Sequence, residues 1–493
     1  MRRFLIWMLC LMSISVHSQQ WMIAYSMDEG AFLRSGCCNG NGNYVFGGCD
    51  NEYGVYANAY AMYVGNDGSF ITRKFVYDGY KSEMCSAICL DNGNAFVVGI
   101  KGGTLSDHVY DSLWIAIVNQ ELDVVEEHCY PFVAPYKTWT SDVYLDFDSE
   151  GHVIVLADVS EKDYPLVTNG VYVVLKCDVD GNVLQTQYFS DGHGPGGARP
   201  TGIIKVPDED KMMLMGKAFM ANGAHSIAYI DNDLNLVGAY PIPWMESAWN
   251  YSDYWKDGNH FLMSSLTYHY NVNDSYYAAV FEVDDKGHYV DTLVYDRADT
   301  ADYTAQFGSM AFFDEETIYI TTYWENGLNE NPNDVVVLLI DKDLNLLGTK
   351  KLMFNDVKIR PLHCQVTADG GCLVYGKSKK TNGTDIIIVW KLLPEDFVIP
   401  WTLTDLPMVL QHYDVYPNPV SNCLSFVLEN YDNQCVSICI WDERGLKHFE
   451  RKFYNCGGVL TIDVSTLENG TYVYEVKKSG KNIMKGRFLK TEY

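Results

Sequence analysis

The chain has 493 residues, and its 64 Asp and Glu outnumber its 36 Lys and Arg, which gives a formal net charge of −28 at pH 7. Ten residues of each sign lie in residues 413–493 and two arginines lie in the first 18, so residues 19–412 carry 24 basic and 54 acidic side chains. A surface this acidic repels phosphate backbones and anionic lipids, which argues against nucleic acid or a membrane surface as a partner. We interpret the charge as a means of solubility outside the cell, in preference to a cation-binding surface.

The amino terminus has the layout of a secretory signal peptide. Two arginines precede an apolar run, Phe4–Val16, and small or polar residues follow as far as Ser18. The run is shorter than the roughly 20 residues that cross a bilayer. We therefore predict a signal peptide over residues 1–18, a mature chain from Gln19 and no transmembrane segment. Export permits disulfides, and the mature chain keeps 13 of the 14 cysteines, so at least one has no partner within the chain.

A tight hairpin recurs along the chain every 48 to 60 residues. Each copy has a turn rich in Gly, Asp or Asn followed by a β-branched or aromatic run, and this turn chemistry suits short hairpins. Intervals of this length are typical of propeller blades. The seven copies are Asn39–Gly48, Leu90–Gly99, Phe147–Leu156, Pro207–Gly216, Trp255–Ser264, Phe313–Thr322 and Thr367–Gly376.

A second hairpin follows each of the first six copies, so that each repeat has four antiparallel strands, the content of one propeller blade. The seventh repeat ends after Asp385–Phe397 without a fourth strand, whereas an unmatched strand, Gln20–Ser26, stands at the mature amino terminus. We predict that this strand completes the last blade and covers its open edge. The predicted fold of residues 19–397 is therefore an all-β, seven-bladed β-propeller.

Asp-rich turns at Asp178, Asp231 and Asp341 raise the question of calcium. A calcium loop of the EF-hand kind also needs a bidentate Glu at its twelfth position, and the three turns have Phe189, Ile242 and Leu352 there. Aspartate is also a common turn former. We expect no cofactor and no metal, with calcium as the alternative.

A break in the pattern precedes the last 80 residues. Residues 398–412 contain prolines and read as a linker, and Pro417 and Pro419 then impose an extended entry into a new domain. Short strands at regular spacing follow in residues 413–493. They predict a small C-terminal, immunoglobulin-like β-sandwich.

The motifs "VYPNPVSNCLSFVL", "ICIWDERGL", "IDVSTLENGTYVYEV" and "KGRFLK" occur in this order in the tail. Together they resemble the type A C-terminal sorting domain of the type IX secretion system of Bacteroidetes. The resemblance implies a cargo protein that is recognised by the secretion machinery and is secreted or held at the outer cell surface. The signature positions that it implies are Tyr416, Pro417, Asn418, Pro419, Gly445, Leu467, Gly470, Tyr472 and Lys490.

Long loops with aromatic residues connect the strands on the face opposite the short hairpins. Loops of this kind over a rigid scaffold usually mark a binding face, and aromatic rings beside carboxylates suit sugars or a protein partner. We predict a binding module for a glycan, a peptide or a surface protein. The candidate residues are Tyr136, Trp139, Trp244, Glu246, Trp249, Tyr268, Tyr270, Trp324 and Glu325.

The alternative is a secreted enzyme that degrades polysaccharide or peptide with carboxylates or His in the propeller channel. The motifs of serine hydrolases, zinc proteases and phosphate-binding loops do not occur in the sequence. Its many carboxylates nevertheless provide candidate acid and base pairs. We favour the binding module and name no catalytic residue.

Overall fold

The computed structural model describes residues 21–27, 32–38, 42–50, 57–77, 80–102, 110–133, 136, 138, 142–160, 170–190, 200–216, 226–242, 249–257, 259–269, 275–295, 302–305, 307–324, 335–352, 359–379, 385–397, 415–416, 420, 422–428, 435–442, 446–454, 458–478 and 481–490. The predicted signal peptide and linker lie outside these residues. The described chain is built of strands, with one 3₁₀ turn at Pro394–Asp396. The all-β class is therefore confirmed. No helix within the described ranges is long and apolar enough to span a bilayer.

The first strand, β1 (Trp21–Met27), belongs to the last of seven antiparallel sheets that the described part of residues 21–392 forms. Within each of the first five sheets the strands lie side by side in chain order. Sheet 1 contains β2 (Phe32–Cys38), β3 (Tyr44–Cys49), β4 (Ala59–Val64) and β5 (Phe70–Phe75). Sheet 2 contains β6 (Lys81–Cys89), β7 (Ala95–Gly102), β8 (Ser112–Val118) and β9 (Val124–Pro131). Sheet 3 contains β10 (Val143–Phe147), β11 (Val153–Ser160), β12 (Gly170–Cys177) and β13 (Val183–Ser190).

The next three sheets follow along the chain. Sheet 4 contains β14 (Pro200–Lys205), β15 (Lys211–Gly216), β16 (Ser226–Asp231) and β17 (Leu236–Pro241). Sheet 5 contains β18 (Trp249–Asp257), β19 (His260–His269), β20 (Ser275–Asp284) and β21 (Tyr289–Tyr295). Sheet 6 contains β22 (Asp302–Thr304), β23 (Met310–Asp314), β24 (Thr317–Trp324), β25 (Val335–Ile340) and β26 (Leu346–Leu352). Its first edge is divided, because β22 and β23 both pair with β24.

Sheet 7 joins the two ends of this region. Its strands are β27 (Ile359–Val366), β28 (Cys372–Lys379), β29 (Asp385–Leu392) and, on the outer edge, β1. The antiparallel register runs from Trp21 opposite Lys391 to Met27 opposite Asp385. Trp21 Nε1 also donates a hydrogen bond of 2.9 Å to the Asn66 carbonyl of sheet 1. The amino-terminal strand therefore covers the edge of β29 and contacts the neighbouring sheet.

Three of the hairpins between a third and a fourth strand, those with the sequences "DLNL" or "ELDV", have a leucine at the turn position where other hairpins of this kind have glycine. Gly181 has φ +90°, and Leu122, Leu234 and Leu344 have φ between +57° and +62°. A left-handed backbone costs a leucine roughly 1–2 kcal/mol. All three leucine side chains are buried, and burying a leucine contributes about 1.5–3 kcal/mol. Packing therefore offsets the backbone strain.

Apolar clusters lie between neighbouring sheets. Within the described residues there are seven in this region, one for each pair of consecutive sheets and one between sheet 7 and sheet 1. The cluster between sheets 7 and 1 includes Tyr44, Phe46, Leu373 and Ile387. Each sheet therefore buries one face against the preceding sheet and the other against the next.

The C-terminal region has two further sheets that share a separate apolar cluster. The smaller sheet contains β30 (Val415–Tyr416), β31 (Cys423–Leu428) and β34 (Gly458–Asp463). The larger sheet contains β32 (Cys435–Asp442), β33 (Lys447–Tyr454), β35 (Gly470–Lys478) and β36 (Lys481–Lys490). Leu424 and Phe426 of the first sheet and Ile438 and Tyr474 of the second belong to the shared cluster.

Candidate functional site

A cavity of about 510 Å³ lies where the first strands of all seven sheets meet. We call it the central cavity. Each first strand begins at one end of it, the loop end, and turns back into the second strand of its sheet at the other, the hairpin end. One lining residue from each sheet illustrates the arrangement: Arg34, Cys85, Asp146, Ile203, Tyr254, Met310 and His363.

Six of the seven first strands carry a register shift of one residue against the second strand: β23 has it at Phe313, at the hairpin end, and the other five have one further from that end. A bulge of this kind bends the strand and re-aims the side chain of the unpaired residue. The residues passed over at these five shifts are Arg34, Cys85, Thr201, Tyr251 and Leu362. Arg34, Cys85 and Thr201 line the central cavity. The first strands of several sheets thus carry a bulged residue at a similar position.

Arg34 forms the polar group at the loop end of the cavity. Its Nε donates a hydrogen bond of 2.6 Å to Glu83 Oε1, and its guanidinium lies 3.5 Å from Asp142 Oδ1 and 4.5 Å from the centre of the Phe307 ring. Burial lowers the pKa of the guanidinium, but the Glu83 and Asp142 carboxylates outweigh this effect and raise its pKa above the usual value. We call Arg34, Glu83 and Asp142 the Arg34 cluster. It joins sheets 1, 2 and 3.

Asp146 adds a carboxyl to the cavity wall. Its two oxygens accept hydrogen bonds from the backbone N–H groups of Lys205 (2.7 Å) and Phe147 (2.8 Å). Burial nevertheless raises the pKa of Asp146 above its ordinary value, because a low dielectric disfavours the charged form. This carboxyl binds a proton more readily than an exposed aspartate does.

His363 lines the cavity from sheet 7. Its ring stacks on Tyr375 at 5.3 Å with an interplanar angle of 5°, and burial lowers its pKa to about 4. Its Nδ1 has no hydrogen-bond partner within the described residues. A side chain at Gly308 would lie 2.4 Å from the ring, so that position requires glycine. At neutral pH the histidine is uncharged.

The cavity is consequently rich in hydrogen-bond acceptors. The Arg34 guanidinium faces the carboxylate of Asp142, which also lines the cavity, and that of Glu83, which does not. Asp146 and His363 add further polar atoms to the lining. Asp142 is the most exposed member of the Arg34 cluster, with 29% of its side chain accessible. Hydrogen bonds are stronger in such a partly dry site than in water. A ligand with several O–H or N–H donors suits this chemistry.

The predicted binding residues are only partly described. Tyr136 is half-buried, stacks on Tyr188 at 5.1 Å and packs against the apolar cluster between sheets 2 and 3. Trp249, Tyr268 and Trp324 lie on β18, β19 and β24. The remaining five, Trp139, Trp244, Glu246, Tyr270 and Glu325, lie outside the described residues.

Sequence reasoning missed Arg34, Glu83, Asp142 and His363. A signal was nevertheless present, because each lies in or next to the first strand of a repeat, where apolar or small residues prevail. Arg34 occurs in "FLRSGCC" and Glu83 in "KSEMCSAIC". Charged residues inside an otherwise apolar strand are rarely buried unless they are paired. Comparing the repeats position by position would have singled them out.

The Asp-rich turns are held by hydrogen bonds within the turn. Asp178 Oδ1 accepts from the backbone N–H groups of Asp180 (3.0 Å) and Asn182 (2.8 Å). Asp231 and Asp341 have the same arrangement. These contacts account for the turns without calcium, which stays untested as an alternative.

Asp148, Glu150 and His152 form a similar group at the hairpin between β10 and β11. Their ligand atoms lie within 4.8 Å of one another. Lys176 Nζ lies 3.1 Å from Asp148 and 3.0 Å from Glu150. One ammonium group therefore already pairs with both carboxylates.

The predicted sorting residues lie on several elements of the C-terminal sheets. Tyr472 is buried, stacks on Phe488 at 5.5 Å and donates a hydrogen bond of 3.0 Å to the Glu468 carbonyl. Leu467 packs against the shared cluster, and Lys490 is buried in a bridge to Val420. Tyr416 ends β30 and Gly470 begins β35. Pro417, Asn418, Pro419 and Gly445 lie outside the described residues.

Residues 414–489 match the family model described as a secretion system C-terminal sorting domain. The match supports the prediction of a type IX secretion cargo, with a tail that directs the chain out of the cell or to its surface. No curated protein sequence matches the chain significantly.

Several solved structures are similar to the chain at low identity. A fungal alcohol oxidase of the AA5 family in complex with copper has a TM-score of 0.46 at 11% identity, over 96% of this chain and 100% of that one. YCF48 bound to D1 peptide has a TM-score of 0.40 at 8% identity, over 76% and 97%. A protein of unknown function from Dyadobacter fermentans has a TM-score of 0.41 at 8% identity, over 76% and 98%. No activity follows for this chain from similarities this distant.

Proposed function

We propose that the chain is a type IX secretion cargo of the kind found in Bacteroidetes, exported through a signal peptide over residues 1–18. Residues 19–397 form a seven-bladed β-propeller, residues 398–412 a linker and residues 413–493 the sorting β-sandwich. Seven sheets with seven apolar interfaces, and the pairing of β1 with β29, support the propeller. The two sheets around one cluster support the sandwich.

We propose that the propeller is a binding module whose ligand enters the loop end of the central cavity. The Arg34 cluster carries this proposal. Its three residues lie at the starts of β2, β6 and β10, where the connections between sheets enter. Tyr110, in the loop before β8, and Thr138, in the loop after β9, lie at the same end, where an isolated β-bridge joins them. The strand ends that the long aromatic loops connect lie at the same end as the buried charges, which supports the proposal that these loops take part in binding.

A glycan is the ligand class that fits best. Its hydroxyl groups can donate to Asp142 and accept from Arg34, while tryptophan and tyrosine rings on the loops can cover its apolar faces. A peptide or a surface protein is the other ligand class. Its ammonium and amide groups would use the same carboxylate.

The test is a glycan and peptide array probed with the full exported chain and with two variants. Asp142→Asn removes a partly exposed charge of the Arg34 cluster, and the triple replacement of Trp139, Trp244 and Trp324 by alanine removes the predicted aromatic surface. Asp123→Asn, on an exposed hairpin of sheet 2, is the matched control. We expect both test variants to lose binding by at least tenfold and the control to retain it. Full binding by both test variants would refute the assignment of this end.

The enzyme alternative has a specific observation in its favour. Asp146 has a raised pKa and His363 is neutral at pH 7, and both line one cavity with Asp142. A carboxyl with a raised pKa and a neutral imidazole are suitable as proton donor and proton acceptor in acid–base hydrolysis or elimination. Mass analysis of the array ligands after incubation separates the two functions. Intact ligand supports binding, whereas a shortened or unsaturated product that disappears with Asp146→Asn establishes the enzyme.

A further inference from the structure

Cys37 and Cys89 lie at the hairpin end of two neighbouring first strands. Cys37 is the last residue but one of β2, and Cys89 is the last residue of β6. Their sulfur atoms are 2.6 Å apart, although 52 positions separate them in the chain. Sulfurs in a disulfide are about 2.0 Å apart, so a shift of about 0.6 Å brings these two to bonding distance.

The strands that carry the two thiols are held together elsewhere. Arg34 of β2 pairs with Glu83 of β6 at the loop end. Cys37 also belongs to the apolar cluster between sheets 1 and 2, which Cys89 contacts. The two sulfurs therefore meet between surfaces that are already packed.

A reagent can reach this pair of thiols. Both cysteines line the central cavity, and Cys89 is only partly buried. Cys372 makes a useful contrast within the described residues. It is fully buried in the cluster between sheets 6 and 7, it does not line the cavity, and burial raises the pKa of its thiol well above the usual value. A scarce and inaccessible thiolate reacts slowly.

The sorting tail directs this chain out of the cell, where disulfides form and persist. We propose that Cys37 and Cys89 form a disulfide in the exported protein, which links sheets 1 and 2 at the hairpin end of the central cavity. The reaction is thiol–disulfide exchange with a protein disulfide donor. One thiolate attacks the disulfide of the donor to give a mixed disulfide. The second thiolate then displaces the donor sulfur and forms the bond between Cys37 and Cys89. Two electrons and two protons thus pass to the donor, which leaves as a dithiol. This inference does not depend on what the cavity binds.

The test maps the thiols of the full chain purified from an exporting host. Free thiols are blocked with N-ethylmaleimide in denaturant without reductant, and the protein is then reduced, labelled with iodoacetamide and digested for mass analysis. We expect the iodoacetamide label on Cys37 and Cys89, and a linked peptide of the two in the unreduced digest. Cys372 carries the maleimide. Maleimide on Cys37 and Cys89 of the exported protein would overturn the proposal.

A thermal measurement tests the same link by its effect on stability. Dithiothreitol should lower the melting temperature of the wild type by several degrees, because a closed loop restricts the unfolded chain. Cys37→Ser, Cys89→Ser and the double variant should all melt at the temperature of the reduced wild type and show no further response. Cys129→Ser, which removes an exposed thiol, should respond as the wild type does. An equal response to dithiothreitol in the double variant and the wild type would contradict the link.

Discussion

The seven-sheet region and the C-terminal pair of sheets bury their apolar side chains in different ways. In the described residues the seven-sheet region divides its interior into seven clusters, each between two sheets, whereas the C-terminal sheets share a single cluster. The first region also carries nearly all of the excess negative charge, and the second is neutral. One damaged interface leaves the larger region with six others, but the smaller region has no second core. The two regions should therefore respond differently to equivalent damage.

The largest effect is expected from Tyr472→Ala in the C-terminal sheets. Truncating a buried aromatic side chain costs about 3–5 kcal/mol, a large part of the 5–15 kcal/mol that stabilises a domain. We expect the tail to unfold or become sensitive to protease, and export to the cell surface to fail. Limited proteolysis and the amount of surface protein measure the two effects.

Tyr319→Ala is the matched change in the seven-sheet region. Tyr319 is fully buried, and its hydroxyl donates a hydrogen bond of 2.6 Å to the Gly370 carbonyl of sheet 7. We expect a similar loss of stability but a region that stays folded at 25 °C, as seen by circular dichroism. As the control for the C-terminal sheets, Tyr472→Phe removes only the hydrogen bond to the Glu468 carbonyl and should lower the free energy of unfolding by about 1 kcal/mol. If Tyr319→Ala unfolded the seven-sheet region while Tyr472→Ala left the tail folded, the comparison between the two regions would be reversed.

The next effect concerns the Arg34 cluster. Arg34→Met leaves Glu83 buried without its partner, and breaking a buried ion pair costs about 3 kcal/mol or more. Arg73→Met, which breaks an exposed pair with Asp123, should cost less than about 1 kcal/mol. Urea unfolding of both variants measures the difference. Equal midpoints would mean that the cavity is wet enough to screen the Arg34 pair.

A smaller effect on stability depends on pH and is expected in the seven-sheet region alone. The pKa of His363 is about 4 in the folded chain and 6.5 when unfolded, so between these values the unfolded chain binds a proton that the folded chain does not. Stability should therefore be complete above pH 6.5 and fall as the pH drops towards 4, by up to about 3 kcal/mol. His363→Gln should flatten this slope when unfolding is followed from pH 7 to pH 4. The C-terminal sheets serve as the internal reference, and an unchanged slope in the variant would show that carboxylates cause the loss.

The smallest effect is expected at the turns, which the two regions build alike. Asp178 accepts backbone N–H groups in its hairpin, and Asp442 accepts the N–H of Leu446 at 2.9 Å in the tail. Replacing either by alanine should cost about 1 kcal/mol. Thermal melts with calcium and with a chelator should agree for the wild type and for Asp178→Ala. Stabilisation of the wild type by calcium that is lost in Asp178→Ala would instead establish a calcium site.

Features that depend on residues close together in the chain could be predicted from the sequence. Turn residues such as Asp178 and Gly181 define a hairpin by their own backbone preferences, so the hairpins and the all-β class could be predicted. The sorting tail was recognised for the same reason, since its motifs are short continuous stretches. Tyr136 shows the limit. Its place in a long loop suggested a binding residue, but whether its ring faces a ligand or stacks on Tyr188 depends on a strand some fifty residues away.

The sequence by itself determined the strands, the turns and the sorting tail of this protein, because each is a matter of local propensity, spacing or a continuous motif. The tertiary structure alone decided that Arg34, Glu83 and Asp142 meet, that His363 is neutral, and that the sulfurs of Cys37 and Cys89 lie 2.6 Å apart. These residues come from separate sheets, and only the burial of both faces of every sheet brings the first strands together around one cavity.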